Sequence, residues 1–262
     1  MRIILANIIA IYRRELQSYF ASPLAYGIAG IFWLLSGVFF TLVLNFTLRQ
    51  AAQADQMGFS GAIDVPYQFL QSFLGILSSI ALFILPILSM SLYAEERKRG
   101  TLELLATSPI TNWAVAIGKL LAVVTFFITL LLPMMIYELI VLSATQPPMS
   151  LPLILAGHVG LVLLAAAVLS LGMFISSLTD STLLAAVFTF ALMLLLWIID
   201  SLGQQMGGAL GAVFSHLSML KHYNNLVQGI VDSSSLVMFA TYIFLGIFLT
   251  AQSVNLFRYQ RN

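Results

Sequence analysis

Little in this chain could do covalent chemistry. His158, His216 and His222 share no metal-ligand spacing, and no His-Glu-x-x-His pair occurs. The chain has no cysteine, which removes disulfides, thiolate metal sites and thiol nucleophiles. No Gly-x-x-x-x-Gly-Lys-Ser/Thr phosphate loop is present, and the glycines at 203, 207, 208 and 211 lack the lysine one would need. These absences predict a chain with no catalytic site, no resident cofactor and no metal. The polar chemistry gathers elsewhere. Ala94 to Thr111 holds six of the chain's 21 charged side chains, with long apolar runs on both sides. Such a stretch persists in an oily chain where water or a soluble partner meets it.

Within that stretch, Gly100 breaks the helix that leaves the preceding apolar run. Thr101 can cap a new short helix, and Glu103 near its start suits the helix dipole. Leu102, Leu104 and Leu105 give it an apolar surface, and Ser108-Pro109 ends it. The expectation is a two-turn helix over residues 100–109 that docks on another protein. The plainer alternative is a charged loop, which accounts for Arg97, Lys98 and Arg99 but not for the leucines.

The elements that must hold this stretch follow from composition. The 262 residues are 60% hydrophobic and 8% charged, with a mean hydropathy of +1.01. Soluble domains carry about 25% charged residues, so this is an integral membrane protein. The net charge of +1 gives no reason to expect nucleic acid. Six apolar segments can each supply the ~20 residues that cross a bilayer: residues 24–46, 67–93, 112–142, 153–175, 182–199 and 234–257. Residues 47–66 read as a polar loop. Pro86 and Pro133 lie inside the second and third spans, as plain kinks or as hinges. Thr129 is placed to bond back to the backbone near Pro133.

Residues 2–21 read as an amphipathic helix, lying on the membrane or packed on the bundle. Leu5, Ile8, Ile9, Tyr12, Leu16, Tyr19 and Phe20 recur at helical spacing, with Arg13 and Arg14 supplying basic charge. Residues 200–233 are too apolar for a free loop and too interrupted for a span. A pair of short helices dipping part way into the bilayer fits them, provided protein shields the turn. With the N-terminus cytoplasmic, nine basic residues fall on the inner side and two, Arg49 and Lys221, on the outer. Both termini and the Ala94–Thr111 stretch are then expected in the cytoplasm. Lys119, one or two turns into the third span, can snorkel to the inner surface. Glu138 and Asp200 fall near outer span ends, not at mid-membrane where pumps couple ion movement, which disfavours a secondary transporter or channel.

Glu95-Glu96…Gly100-Thr101-x-Glu103-x-Leu105…Pro109…Gly118-Lys119 resembles the signature after the second span of ABC-2 type transporter permeases. The branch it resembles is the gliding-motility type, whose relatives include the permease of the nitrous-oxide-reductase maturation transporter. The run Leu217-Ser218…His222-Tyr223-Asn224-Asn225…Gly229-Ile230-Val231-Asp232 resembles a second recurrent stretch of that branch. The resemblance covers nearly the whole chain as a single transmembrane domain, residues 1–262. It implies an all-α integral membrane protein with six transmembrane helices, an N-terminal interfacial elbow helix and re-entrant helices before the last span. It also implies a permease dimer, with a second copy or a paralogue, and separate ABC ATPase subunits that hold ATP and Mg. By resemblance, Glu96, Gly100, Thr101, Leu102, Glu103, Leu105 and Pro109 belong to an ATPase-coupling segment. Arg13, Arg14 and Tyr19 belong to the elbow, in contact with membrane lipids, and His222, Gly229 and Asp232 to the re-entrant segment. The expected function is ATP-driven export across a prokaryotic plasma (inner) membrane. The alternative is an ATPase-coupled scaffold for assembly or motility with no cargo.

Overall fold

The computed structural model describes residues 2–58, 64–101, 110–146, 148–205 and 208–259. Among these, the chain is all-helical. In order the helices are α1 (Arg2–Ala21), α2 (Pro23–Gln56), α3 (Val65–Ser89), α4 (Ser91–Lys98), α5 (Asn112–Ser143), α6 (Leu151–Leu178), α7 (Thr182–Gln205), α8 (Gly208–Leu217), α9 (Met219–Val227) and α10 (Ser233–Tyr259). Six segments are long and apolar enough to cross a membrane: α2, α3 with α4, α5, α6, α7 and α10. The protein is a multi-pass integral membrane protein.

Helix α6 is the centre of the bundle, packed by α3, α5, α7, α9 and α10. Its small residues permit this. A Cβ on Gly160 would lie 2.9 Å from Leu226 of α9, and one on Gly246 of α10 would lie 2.5 Å from Ser170 of α6. Without a strong hydrophobic drive between helices in lipid, close backbone approach is a main source of association. Phe32, Phe69, Phe73, Leu74, Phe127, Leu161 and Phe239 fill the core. Large apolar side chains of α2, α7 and α10, such as Leu34, Phe46, Leu183, Trp197 and Phe244, face outward.

Helix starts follow local chemistry. Asp64 accepts from the Tyr67 amide (3.1 Å), Ser218 from Lys221 (3.0 Å) and Asp232 from Ser235 (2.9 Å). Ser22 stands at the N-cap of α2 with Pro23 following, but its hydroxyl makes no capping bond. Helix α2 runs to Gln56, ten residues past the end expected from hydropathy. Its 34 residues span about 51 Å against a hydrocarbon core of about 30 Å. Polarity at residues 47–56 therefore marks departure from the bilayer, not the end of the helix.

The prolines act differently. Pro86 precedes a break at Met90 that divides α3 from α4. Ser176 of α6 fills this break: its hydroxyl donates to the Met90 carbonyl (2.8 Å) and accepts from the amides of Tyr93 (3.1 Å) and Ala94 (3.0 Å). Pro133 leaves α5 continuous. Thr129 bonds back to the Phe126 carbonyl there (2.6 Å), and the Trp33 indole donates to the Leu130 carbonyl (2.9 Å).

Candidate functional site

The arrangement with chemical content sits at the end of the bundle shared by α1, α4 and the first turns of α5. Gly100 terminates the helical run: it has φ +69°, and its amide and that of Thr101 bond back to Arg97 and Glu96. The Thr101 hydroxyl also reaches the Glu96 carbonyl (3.2 Å). Leu102, Glu103, Leu105 and Pro109 lie outside the described residues.

Glu96 carries the link between α4 and the rest of this end. Its Oε1 lies 3.0 Å from Lys119 Nζ, and Glu15 Oε1 of α1 lies 3.0 Å from the same nitrogen. Lys119 is 2% exposed and stands 5.2 Å from the centroid of the Tyr93 ring. It does not snorkel. One ammonium, seven residues into α5, neutralises carboxylates from two other helices, so the cation that hydropathy would send to water is held inside by their charge. Like-charged Glu15 and Glu96 can approach only because Lys119 lies between them.

Around this clamp the contacts are close. A Cβ on Gly118 would lie 2.8 Å from Ile11 and 3.1 Å from the Ile8 carbonyl, so glycine lets α1 lie flat on α5. Tyr19 stacks on Phe126 (centroids 5.1 Å apart) and donates to the Leu88 carbonyl (2.9 Å). Burial first, and the neighbouring Glu15 second, push its phenol above the ordinary tyrosine range. Arg13 and Arg14 are exposed, as are Leu5 and Ile9, while Phe20, also exposed, packs edge-on against Phe126 of α5 (centroids 5.6 Å apart). Arg97 donates to the Ser177 carbonyl (3.0 Å), and Asn112 to Asn255 of α10 (2.6 Å). These place the C-terminal part of α10 at the same end as α1.

At the opposite end, α8 folds back on α7, where a Cβ on Gly203 would lie 2.7 Å from the Ser215 amide. Helix α9 packs beside Leu74 and Gly160, each nine residues past the start of its helix, or about 14 Å along it. Tyr223 fixes it with a bond to the Leu74 carbonyl (2.7 Å). Gly229, φ +81°, closes α9 against Leu153. His222 is buried, with Nε2 3.0 Å from the His216 carbonyl and Nδ1 2.9 Å from the Ser235 hydroxyl. Asp232 accepts from the Ser235 amide and the Ser235 hydroxyl meets His222, so this trio ties α9 to the start of α10.

Sequence reasoning singled out Glu96 but not its partners. Lys119 stood in the quoted signature, and Glu15 is the one acid of an otherwise basic α1; an acid on a basic helix was the available signal. It also missed a second pair. Glu138 of α5 is fully buried, and His158 Nε2 of α6 lies 3.7 Å from its Oε1, beyond hydrogen-bond reach. His158 Nδ1 bonds the Ile154 carbonyl (2.9 Å).

Comparison with curated proteins gives no significant match. The family model for the ABC-2 family transporter protein matches residues 9–261, which takes in α1 from its third turn, the clamp, all six apolar segments and the α8–α9 pair. The chain belongs to the ABC-2 family of transporter proteins and is the membrane component of an ABC system, whose partner is an ABC ATPase.

Proposed function

We propose that the chain is the permease subunit of an ATP-driven exporter, with ATP and Mg held and hydrolysed by a separate ATPase. The observation that carries this is the Lys119 clamp. Segment 100–109 is anchored at its start by Gly100 and Thr101, directly after the α4 turn whose Glu96 holds Lys119. A push on that segment reaches α1 through Glu15 and α5 through Lys119 without crossing solvent. The break at Met90, bridged by Ser176, separates α4 from the packed length of α3. The clamped end carries Arg13, Arg14, Arg97, Lys98 and Arg99, which supports placing it and both termini in the cytoplasm of a prokaryotic inner membrane.

In this reading α1 is the elbow helix at the lipid interface, and α8 and α9 are the re-entrant pair. The Glu95–Lys119 pattern favours the gliding-motility-type branch. A second permease, identical or paralogous, completes the transporter, and catalysis lies outside this chain.

The test is the coupling segment. Leu102→Ala with Leu105→Ala removes two apolar anchors, and loss of one buried anchor costs roughly 2 kcal/mol or more of binding. The double variant is expected to insert normally but to lose ATPase co-purification. A well-inserted variant that binds the ATPase at full strength and supports normal function refutes the coupling role.

A further inference from the structure

Beside the clamp lies a cavity of about 600 Å³, bounded by α1, α2, α3 and α4. That volume falls within the roughly 300–1,000 Å³ of small-ligand sites. One wall is apolar, made by Leu24, Ala25, Ile28, Ile87 and Leu88. Leu24 and Ile87 are also exposed at the outer surface of the bundle, so this wall runs on into the surface that meets lipid tails. The other wall carries Arg14, Glu15, Glu95, Glu96, Arg99 and Lys119, three cations and three anions. The cavity lies where α1 joins the first turns of α2, the level at which a span leaves the hydrocarbon.

The charges are not all spent on one another. Lys119 is shared between Glu15 and Glu96, and Arg99 pairs with Glu95 at the rim. Glu96 Oε2 is buried with no hydrogen-bond partner among the described residues. An orphan carboxylate oxygen calls for a donor. Arg14 is exposed and makes no ion pair among the described residues, leaving its guanidinium free for a phosphate.

We propose that this cavity binds a zwitterionic aminophospholipid: the Glu96 carboxylate turns its buried Oε2 toward the cavity to accept from the primary ammonium, the phosphate sits on Arg14, and the acyl chains run along the Leu24–Ile87 wall. The chemistry selects among lipids. A trimethylammonium head has no N–H to give Glu96. An anionic head without an amine brings a negative charge to three carboxylates and leaves the orphan oxygen unmet. This site stands apart from the transport reading, since it requires neither an ATPase nor a cargo.

The test uses the full chain, purified in detergent and stripped of lipid. Short-chain phosphatidylethanolamine, phosphatidylcholine, phosphatidylglycerol and soluble phosphoethanolamine are titrated, with thermal midpoint and native mass spectrometry as readouts. The ethanolamine lipid should bind about tenfold more tightly than the choline or glycerol lipids, the worth of one charge-assisted hydrogen bond. Phosphoethanolamine should bind weakly for want of tails. Arg14→Ala, at an exposed position, should weaken the ethanolamine lipid about tenfold. Glu96→Gln should abolish the preference over choline. Equal binding of the three lipids overturns the proposal, as does ethanolamine-lipid binding unchanged by Arg14→Ala. Phosphoethanolamine binding as tightly as its lipid overturns the lipid assignment in favour of a site for a soluble molecule. Should Glu96→Gln fail to fold, the lipid comparison on the unaltered chain and Arg14→Ala still decide.

Discussion

Replacing Lys119 with methionine tests whether the clamp holds this end of the protein together. Methionine nearly fills the same volume, so the change removes charge with little cavity. Each contact of Lys119 with Glu15 and Glu96 is 3.0 Å long, worth roughly 5 kcal/mol gross at an effective dielectric of about 20. Desolvation of three ions cancels most of that, but deleting one member leaves the others buried without compensation, at a cost of roughly 3–5 kcal/mol. Here the residue removed is the lone cation, and the two carboxylates left behind repel. At about 2–4 °C per kcal/mol for a chain of this size, the thermal midpoint should fall by about 6 °C or more. Intrinsic fluorescence and size-exclusion profiles after heating in detergent measure this. The decisive control is Glu15→Gln with Glu96→Gln and Lys119→Met, which removes all three charges and should recover most of the loss. A midpoint for Lys119→Met within about 2 °C of the unaltered chain refutes the clamp. So does a triple variant less stable than the single one.

Two further outcomes follow from the packing. Ser176→Ala withdraws the acceptor of the Tyr93 and Ala94 amides, costing about 1–3 kcal/mol, and should speed hydrogen exchange at those two amides while leaving Leu77 to Leu85 unchanged. Glu138→Met replaces a buried carboxyl whose oxygens have no hydrogen-bond partner among the described residues, so the thermal midpoint should stay level or rise, and a clear fall would show that the pair with His158 stabilises the bundle.

The spans were legible because crossing a bilayer demands about 20 apolar residues, and each segment declares that locally. Boundaries were less so. Residues 47–56, rich in Ala and Gln with no Gly or Pro, are good helix formers, yet hydropathy registers only that they are polar. Gly100 was legible as a break because its role depends on its own φ. Lys119 was not, because its burial depends on Glu15 and Glu96, 104 and 23 residues away, and no local pattern reports such a partnership. Ser176 was hidden for the same reason: one small hydroxyl in an apolar helix takes its meaning from a helix break 86 residues earlier.

The wide spacing of the clamp bears on how the protein is made. Helix α1 is synthesised before the spans that follow it, and Glu15 cannot meet Lys119 until another 104 residues have been added. Glu96 arrives next with the same deficit, so through the insertion of α2, α3 and α4 the nascent chain carries two acids destined for one place and no cation to join them. A chain that stalls before Lys119 has the Tyr19–Leu88 bond to hold α1 but not the charge clamp. The charge clamp on α1, by the position of a single lysine, cannot close until the start of the third span has been made.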